Sequence, residues 1–151
     1  MNSEVKMYGE TYLDACTAIY VAAFTAPPMN YHWVTNPKAR RYINDLTRTP
    51  GFIGYVYEVD GETAAFCLGV LDNYFDGSVY EIREFAVCPK HQRGGTGSAF
   101  LRELEIKLAG YDIPAISLST SRNLPAFEFY LKNGYEEVKE NVSLTKWLSQ
   151  P

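Results

Sequence analysis

The feature that most constrains this chain is a change of period across residues 85–98, where a β-like run, a glycine-rich turn and a helix start follow one another directly. Phe85, Ala86 and Val87 end the strand-like run, and Pro89 closes it because proline cannot donate to a ladder. Gly94, Gly95 and Gly97 fall within four residues, and Phe100, Leu101, Leu104 and Leu108 then recur at helical spacing. A helix that opens on glycines presents amide N–H groups without intrahelical acceptors and about half a positive charge. Glycine also lets an oxyanion approach the backbone without meeting a Cβ. The segment 92–98 therefore predicts an anion site at a helix start, with Arg93 as a cation suited to phosphate.

Two familiar phosphate-binding patterns are excluded. A nucleotide P-loop ends in Gly-Lys-Ser/Thr, whereas this chain has Gly97-Ser98. A dinucleotide fingerprint requires a third small residue where Phe100 stands, and the acidic ribose ligand expected about 20 residues on is missing.

With 151 residues, 46% apolar and 21% charged, the composition predicts one folded domain, 1–151, with a core of its own. The net charge of −4 argues against nucleic acid as a partner and mildly for a cationic one. No apolar run reaches the roughly 20 residues that a membrane-spanning helix needs. Met1-Asn2-Ser3-Glu4 lacks a signal-peptide layout. Cys16, Cys67 and Cys88 are odd in number and sit in apolar segments, which predicts free thiols in a reducing, cytoplasmic compartment. No Cys/His spacing suggests a metal.

Period and punctuation give the order of elements. Residues 3–8 read as an edge strand. Thr11 to Asp14 reads as a capping box opening a helix with Tyr12, Cys16, Ile19, Tyr20 and Ala23 on one face. Asn36-Pro37 reads as cap and first turn of a second helix carrying Ala39, Tyr42, Ile43 and Leu46. Strands are predicted at 52–59, 63–71 and 79–87, with Asp60-Gly61 as a two-residue hairpin turn and 63–71 as the central strand. The helix ending near Leu108 leads to a strand at 115–120 that runs parallel to 79–87, as a βαβ unit requires. Asn123 reads as the N-cap of a last helix, Asn133-Gly134 as its end, and 135–139 and 142–147 as closing antiparallel strands.

The run Phe85-x-Val87-x-Pro89-x-x-Gln92-x-x-Gly95-x-Gly97 closely resembles the acetyl-CoA pyrophosphate loop of the GNAT N-acetyltransferase superfamily. Asn123-x-x-Ala126-x-x-Phe129-Tyr130-x-x-x-Gly134-Tyr135 resembles that superfamily's later segment, and the predicted element order matches its fold end to end. The resemblance implies an α/β (α+β) acyl-CoA N-acyltransferase fold with a mixed central sheet of six to seven strands and four helices. It implies that acetyl-CoA is the co-substrate. Its pantetheine arm would bind backbone groups of Phe85, Ala86 and Val87, its pyrophosphate would sit on Gln92, Arg93, Gly94, Gly95, Thr96, Gly97 and Ser98, and Asn123 would contact it near the thioester end. A bulge in the region 84–87 is part of that expectation.

The implied reaction is direct attack of an amine on the thioester in a ternary complex. The ammonium must lose a proton and the departing thiolate gains from receiving one. Tyr130 stands at the family's general-acid position. Glu81 aligns with the glutamate of the histone and aminoglycoside 6′-acetyltransferase branches, and Glu84 is the second candidate for base or water-positioning group. Unbroken strand parity puts Glu81 with Arg83 on one face, opposite Glu84; a bulge would change that. An exposed Glu81–Arg83 pair is the bland alternative. His32 and His91 are weaker candidates, and Cys88 has no neighbouring base in sequence. Tyr31, Trp33, Tyr74 and Phe75, with Asp72 and Asp76, are candidates for the acceptor wall, against an ordinary surface or core role.

These residues favour acetylation of a small-molecule amine. A protein lysine or N-terminal acetyltransferase is the alternative, although the peptide-terminus branch has a glutamate where this chain has Leu118. A non-catalytic CoA-binding module is the third option. Homodimerisation is common in such folds and is left open by the residues.

Overall fold

A computed structural model describes residues 2–150. Met1 and Pro151, the ends of the expected 1–151 domain, lie outside the described residues. The chain divides between Ser119 and Thr120 into two compact units.

The first unit holds β1 (Ser3–Met7), α1 (Leu13–Thr25), α2 (Asn36–Leu46), β2 (Phe52–Val59), β3 (Glu62–Tyr74), β4 (Gly77–Val87), α3 (Thr96–Gly110) and β5 (Ile116–Leu118). Short 3₁₀ turns occupy Glu10–Tyr12 and Pro89–His91. One mixed sheet runs β1-β2-β3-β4-β5, with β3 at its centre as its two-faced apolar pattern predicts. Neighbours are antiparallel except β4 and β5, which are parallel across the α3 crossover. Asp60 and Gly61 both take positive φ, 51° and 79°, which is the twist a two-residue hairpin turn needs.

The two faces of the sheet bury different partners. Leu13, Cys16 and Ile19 of α1 and Ile43 and Leu46 of α2 pack on Val56, Phe66, Leu68, Val70 and Ala86. On the other face Phe100 of α3 stacks between Tyr57 and Phe85, with ring centroids 5.1 and 5.4 Å away. The four apolar α3 positions read from helical spacing, Phe100, Leu101, Leu104 and Leu108, are all buried.

The register of β3 against β4 breaks once. Leu68 faces Glu84 and Gly69 faces Ile82, so Arg83 is an extra residue in β4. The bulge lies just ahead of the region 84–87 where it was expected. Its consequence is a correction to strand parity. Val70 faces Glu81 and Leu68 faces Glu84, and residues two apart on β3 share a face. Glu81 and Glu84 therefore lie on the same face, the α1/α2 face, rather than on opposite ones. Gly69 makes room for this: a Cβ there would stand 2.5 Å from the Glu81 carbonyl oxygen and 2.6 Å from the Tyr80 hydroxyl.

Helix starts differ from the sequence reading for local reasons. A 3₁₀ turn takes up Thr11, so α1 begins at Leu13 with no side-chain cap bond, and Asp14 instead pairs with Arg40 at 3.1 Å. In α2 the cap falls on Thr35, one residue before Asn36.

The second unit contains α4 (Pro125–Lys132). Its cap is Leu124, not Asn123. Proline forces the preceding residue out of the helical region, and Leu124 accordingly sits at φ −99°, ψ 150°. Gly134 takes φ 88° and closes the helix as its position predicts. No strand forms at 135–139 or 142–147 among the described residues, so the sheet has five strands where six to seven were expected. Val142, Leu144 and Trp147 are exposed. Apolar alternation becomes a strand only when a neighbouring ladder takes up its backbone and one face.

Gly69→Val should destabilise the fold by about 1–3 kcal/mol in chemical denaturation, since the new side chain has to displace β4 backbone at the bulge. A midpoint unchanged from wild type would mean that β4 does not make this close approach.

Candidate active site

The glycine loop is built by β4 and α3. Beyond Val87 the Cys88 N–H donates to the Ala64 carbonyl at 2.8 Å, which holds the strand end against β3. The Gln92 side-chain amide donates back to the Val87 carbonyl at 3.0 Å and ties the turn to the strand it leaves. Gln92 thus has a structural task beside the anion-binding one expected of it. Arg93 and Gly95 take positive φ, 68° and 80°. Gly95 is the cap of α3, and the Ala99 N–H is bonded to its carbonyl at 3.0 Å. A glycine cap has no side chain to fold over the first-turn amides, so the helix start faces outward with its partial positive charge. No atom lies within 4 Å of where a Cβ would project from Gly94 or Gly95. Thr96, Gly97 and Ser98 form the first turn of α3.

Next to the loop the sheet opens. The parallel ladder joins Tyr80, Glu81 and Ile82 to Ile116, Ser117 and Leu118 and ends there. On its other edge β4 stays paired with β3 as far as Val87. The bulge at Arg83 marks the point of divergence, and the segment Glu84, Phe85, Ala86, Val87 borders the seam.

Glu84 is the unusual group. Its side chain is half-buried on the α1/α2 face, where it accepts hydrogen bonds from the Tyr20 hydroxyl at 3.4 Å and the Tyr42 hydroxyl at 3.3 Å. Burial pushes its pKa up to about 7, and the two tyrosine bonds, which favour the carboxylate, only partly offset this. Partial burial, with the Glu84 charge beside them, raises Tyr20 and holds Tyr42 up at about 12, so both stay protonated donors. Glu81 has a different environment: it forms an ion pair with Arg83, and both side chains are substantially exposed. Of the two carboxylates, Glu84 is the one poised to exchange a proton near neutrality.

A line of aromatic rings leads away from Glu84. Tyr20 lies 5.9 Å from Tyr42 and 4.5 Å from Phe24, Phe24 lies 6.1 Å from Tyr31, and Tyr31 lies 4.7 Å from Trp33. Tyr31 and Trp33 thus belong to a line of stacked rings. Tyr74 and Phe75 do not join it; they stand exposed at the β3–β4 hairpin tip, Phe75 fully so. Tyr20 and Tyr42 were not among the sequence candidates because their helical spacing reads as core. The i, i+4 spacing of the aromatic residues Tyr20 and Phe24 was the available signal.

The remaining candidates are accounted for individually. His32 is exposed. His91 is half-buried: its Nε2 is buried and has no hydrogen-bond partner among the described residues. Burial lifts the Cys16 and Cys67 thiols to about 12, so neither is a nucleophile, and Cys88 is half-buried. In the second unit Tyr130 is buried, with Phe129 and Tyr135 each edge-on at 5.2 Å. Asn123 is exposed, and its N–H donates to Ser121 Oγ at 3.3 Å. Arg122 pairs with Glu137 and lies over the Phe127 ring.

A glycine loop at a helix start, a seam between parallel strands and a carboxyl group titrating near neutrality suit a group transfer from an anionic carrier. The sequence model of the acetyltransferase (GNAT) family matches residues 13–135. The chain therefore belongs to that family of acyltransferases, and the match runs across both compact units. No curated protein matches the sequence. Solved structures share the fold. One is a possible acetyltransferase from Clostridium difficile 630, with TM-score 0.81, 13% identity, and coverage of 99% of this chain and 100% of that one. Another is the apo aminoglycoside 6′-N-acetyltransferase AAC(6')-IG from Acinetobacter haemolyticus, with TM-score 0.71, 15% identity, and coverage of 99% and 100%. A third is aminoglycoside N-acetyltransferase AAC(6')-Iy in complex with CoA, with TM-score 0.72, 13% identity, and coverage of 98% and 96%.

The raised pKa of Glu84 has a direct consequence for stability. From the ordinary carboxyl value of 4.5 up to about 7 the native state holds a proton that the unfolded state has released, so stability falls as pH rises through that window and then levels off. Glu84→Gln should therefore be more stable than wild type at pH 8, by about 1–3 kcal/mol, with the gain vanishing below about pH 4.5. Denaturant melts at the two pH values check this, and a gain independent of pH would contradict the raised pKa.

Proposed function

We propose that the chain transfers the acetyl group of acetyl-CoA to the primary amine of a small molecule, by direct attack within a ternary complex. The observation that carries the reading is Glu84, a half-buried carboxyl group whose pKa is pushed up to about 7, set on β4 where the strand borders the open seam. Acetyl-CoA is the proposed co-substrate. Its pyrophosphate would lie on the loop residues 92–98, and its pantetheine arm would run along Phe85, Ala86 and Val87, completing the edge that β5 leaves. The CoA complex of a structural neighbour supports this choice of carrier. Asn123 is a proposed contact near the thioester. The reach of the family match across both units supports a single catalytic domain, 1–151.

The chemistry follows from the groups available. The carboxylate of Glu84 takes a proton from the substrate ammonium, directly or through one water. The freed amine nitrogen forms a bond to the thioester carbonyl carbon, and the carbonyl π pair moves to oxygen. Collapse of that intermediate breaks the C–S bond, and the thiolate of CoA leaves with the pair. The proposed donor of a proton to that thiolate is Tyr130, and the second proton that the attacking nitrogen carries leaves to water as the neutral amide forms. Glu81 holds Arg83 beside the bulge and is the lesser candidate for base. Free cysteines are in keeping with a cytoplasmic setting.

Thiol release with acetyl-CoA and a panel of amines tests this. Glu84→Gln should lower kcat at least about 100-fold with CoA affinity little changed, and Tyr130→Phe should lower it about 10–100-fold. Glu81→Gln should lie within a few-fold of wild type; a larger loss for Glu81→Gln than for Glu84→Gln would reverse the assignment. The acidic limb of kcat/KM should fall near pH 7 and move upward in Tyr20→Phe and Tyr42→Phe, which remove hydrogen bonds that favour the carboxylate. Gly95→Val should weaken CoA binding about tenfold or more, since a β-branched side chain does not accept φ 80° and would crowd the helix start. Unchanged affinity would remove the glycine loop from the proposal.

A further inference from the structure

On the side of the sheet that α3 covers, the structure holds a cleft of about 360 Å³. Its floor follows from strand register. Met7 pairs with Tyr55 and Gly69 pairs with Ile53, and residues two apart on a strand share a face. Met7, Ile53, Tyr55 and Leu71 therefore lie on one side of the sheet. That side is the α3 side, because Tyr57, two residues beyond Tyr55, stacks on Phe100. Tyr111 and Ile113 complete the lining from the turn that ends α3. Both their N–H groups donate to the Leu108 carbonyl, at 3.1 and 3.2 Å, and Asp112 between them takes φ 60°. Met7 and Tyr111, each 62% exposed, are the open part of the lining. Among the described residues no charged side chain lines the cleft.

One lining group is not at rest in an apolar setting. Tyr55 is 2% exposed, and its hydroxyl is buried with no hydrogen-bond partner among the described residues. A buried hydroxyl left unpaired is costly and uncommon in native proteins. Tyr80, buried on the same face, shows the usual solution: its hydroxyl donates to the Ile53 carbonyl at 2.6 Å. Burial, with Tyr111 and Cys67 adding to it, raises the Tyr55 hydroxyl above its ordinary range, so it keeps a proton to give. The size of the cleft bounds what could receive that proton. A dry cavity of about 150 Å³ holds benzene, so a space of about twice that suits a bicyclic molecule.

We propose that this cleft is a second ligand site, which takes a neutral, mostly apolar molecule of bicyclic size with one hydrogen-bond acceptor directed at the Tyr55 hydroxyl. Apolar walls without a counter-charge disfavour an ionised ligand, because its desolvation would go uncompensated. The site is separate from the acetyl-transfer machinery. Glu84 lies on the other face of the sheet, and the glycine loop lies at the opposite end of α3, a helix about 22 Å long at about 1.5 Å per residue. Its occupant is then neither acetyl-CoA nor the amine acceptor, and the inference does not rest on the acetyltransferase reading.

Coumarin, a neutral bicyclic lactone with a carbonyl acceptor, and coumarin-3-carboxylate, its charged relative, are titrated into the full chain with and without CoA, by calorimetry and by methyl NMR. Coumarin should bind with Kd about 0.1–1 mM, the range open to a ligand of its size, and CoA should leave that value unchanged. Methyl shifts should centre on Met7, Ile53, Leu71 and Ile113. The carboxylate should bind at least about tenfold more weakly. Tyr55→Phe should weaken coumarin binding about 3–10-fold without lowering Tm, since it removes an unpaired group rather than a bond within the protein. Tyr111→Ala, at an exposed position, should also weaken it. Absence of methyl shifts at saturating coumarin, shifts centred elsewhere, equal binding of the carboxylate, or unchanged affinity in Tyr55→Phe would each overturn the proposal. A dimer that Tyr111→Asp dissociates would assign the cleft to a second copy of the chain and overturn it as well.

Discussion

One extra residue in β4 sets the arrangement on which the site depends. Arg83 has no place in the ladder with β3, and beside it Gly69, which faces Ile82, lets the Glu81 carbonyl and the Tyr80 ring come closer than a side chain there would allow. Two effects follow from this local mismatch. The strand is re-aimed, so that Glu84 turns toward α1 and α2, and pairing with β5 ends at Ile82. Without the bulge, strand parity would put Glu84 on the α3 face, where Phe85 now packs against Phe100. The bulge therefore couples the position of the acid group to the opening of the seam.

The state of Glu84 is then decided by a competition. Burial on the helical face disfavours its charge, while the Tyr20 and Tyr42 hydroxyls favour it. Burial wins by enough to bring the carboxyl near neutrality but not beyond, which suits a group that must both take and release a proton. Glu81 shows what the same side chain does three residues away, where Arg83 neutralises it in a more open setting. The aromatic residues do double duty here. Their rings continue the core of α1 and α2 outward, and two of their hydroxyls tune the acid.

The sequence signals that proved reliable were those fixed by short-range sterics. Asp60-Gly61 made its hairpin, Gly134 ended α4, and the glycines around Gly95 opened α3. The apolar face of α3 and the central place of β3 were legible from period alone. Caps were read one residue off at α2 and α4; at α4 the cause is Pro125, which holds its predecessor Leu124 out of the helical region. The two closing strands were misread for a different reason. Residues 135–147 carry a strand-like composition, but strand formation depends on a ladder partner that local sequence does not specify.

The chain by itself determined the family, the glycine loop and the chemical kinds of residue available, because each depends on residues close together in sequence and on steric rules that act locally. Only the tertiary structure decided between Glu81 and Glu84. That choice turns on a bulge created by register against β3, and on two tyrosines that reach Glu84 from 42 and 64 residues away in the chain. Burial and register are properties of neighbours brought together by folding, and a single strand read alone has no access to either.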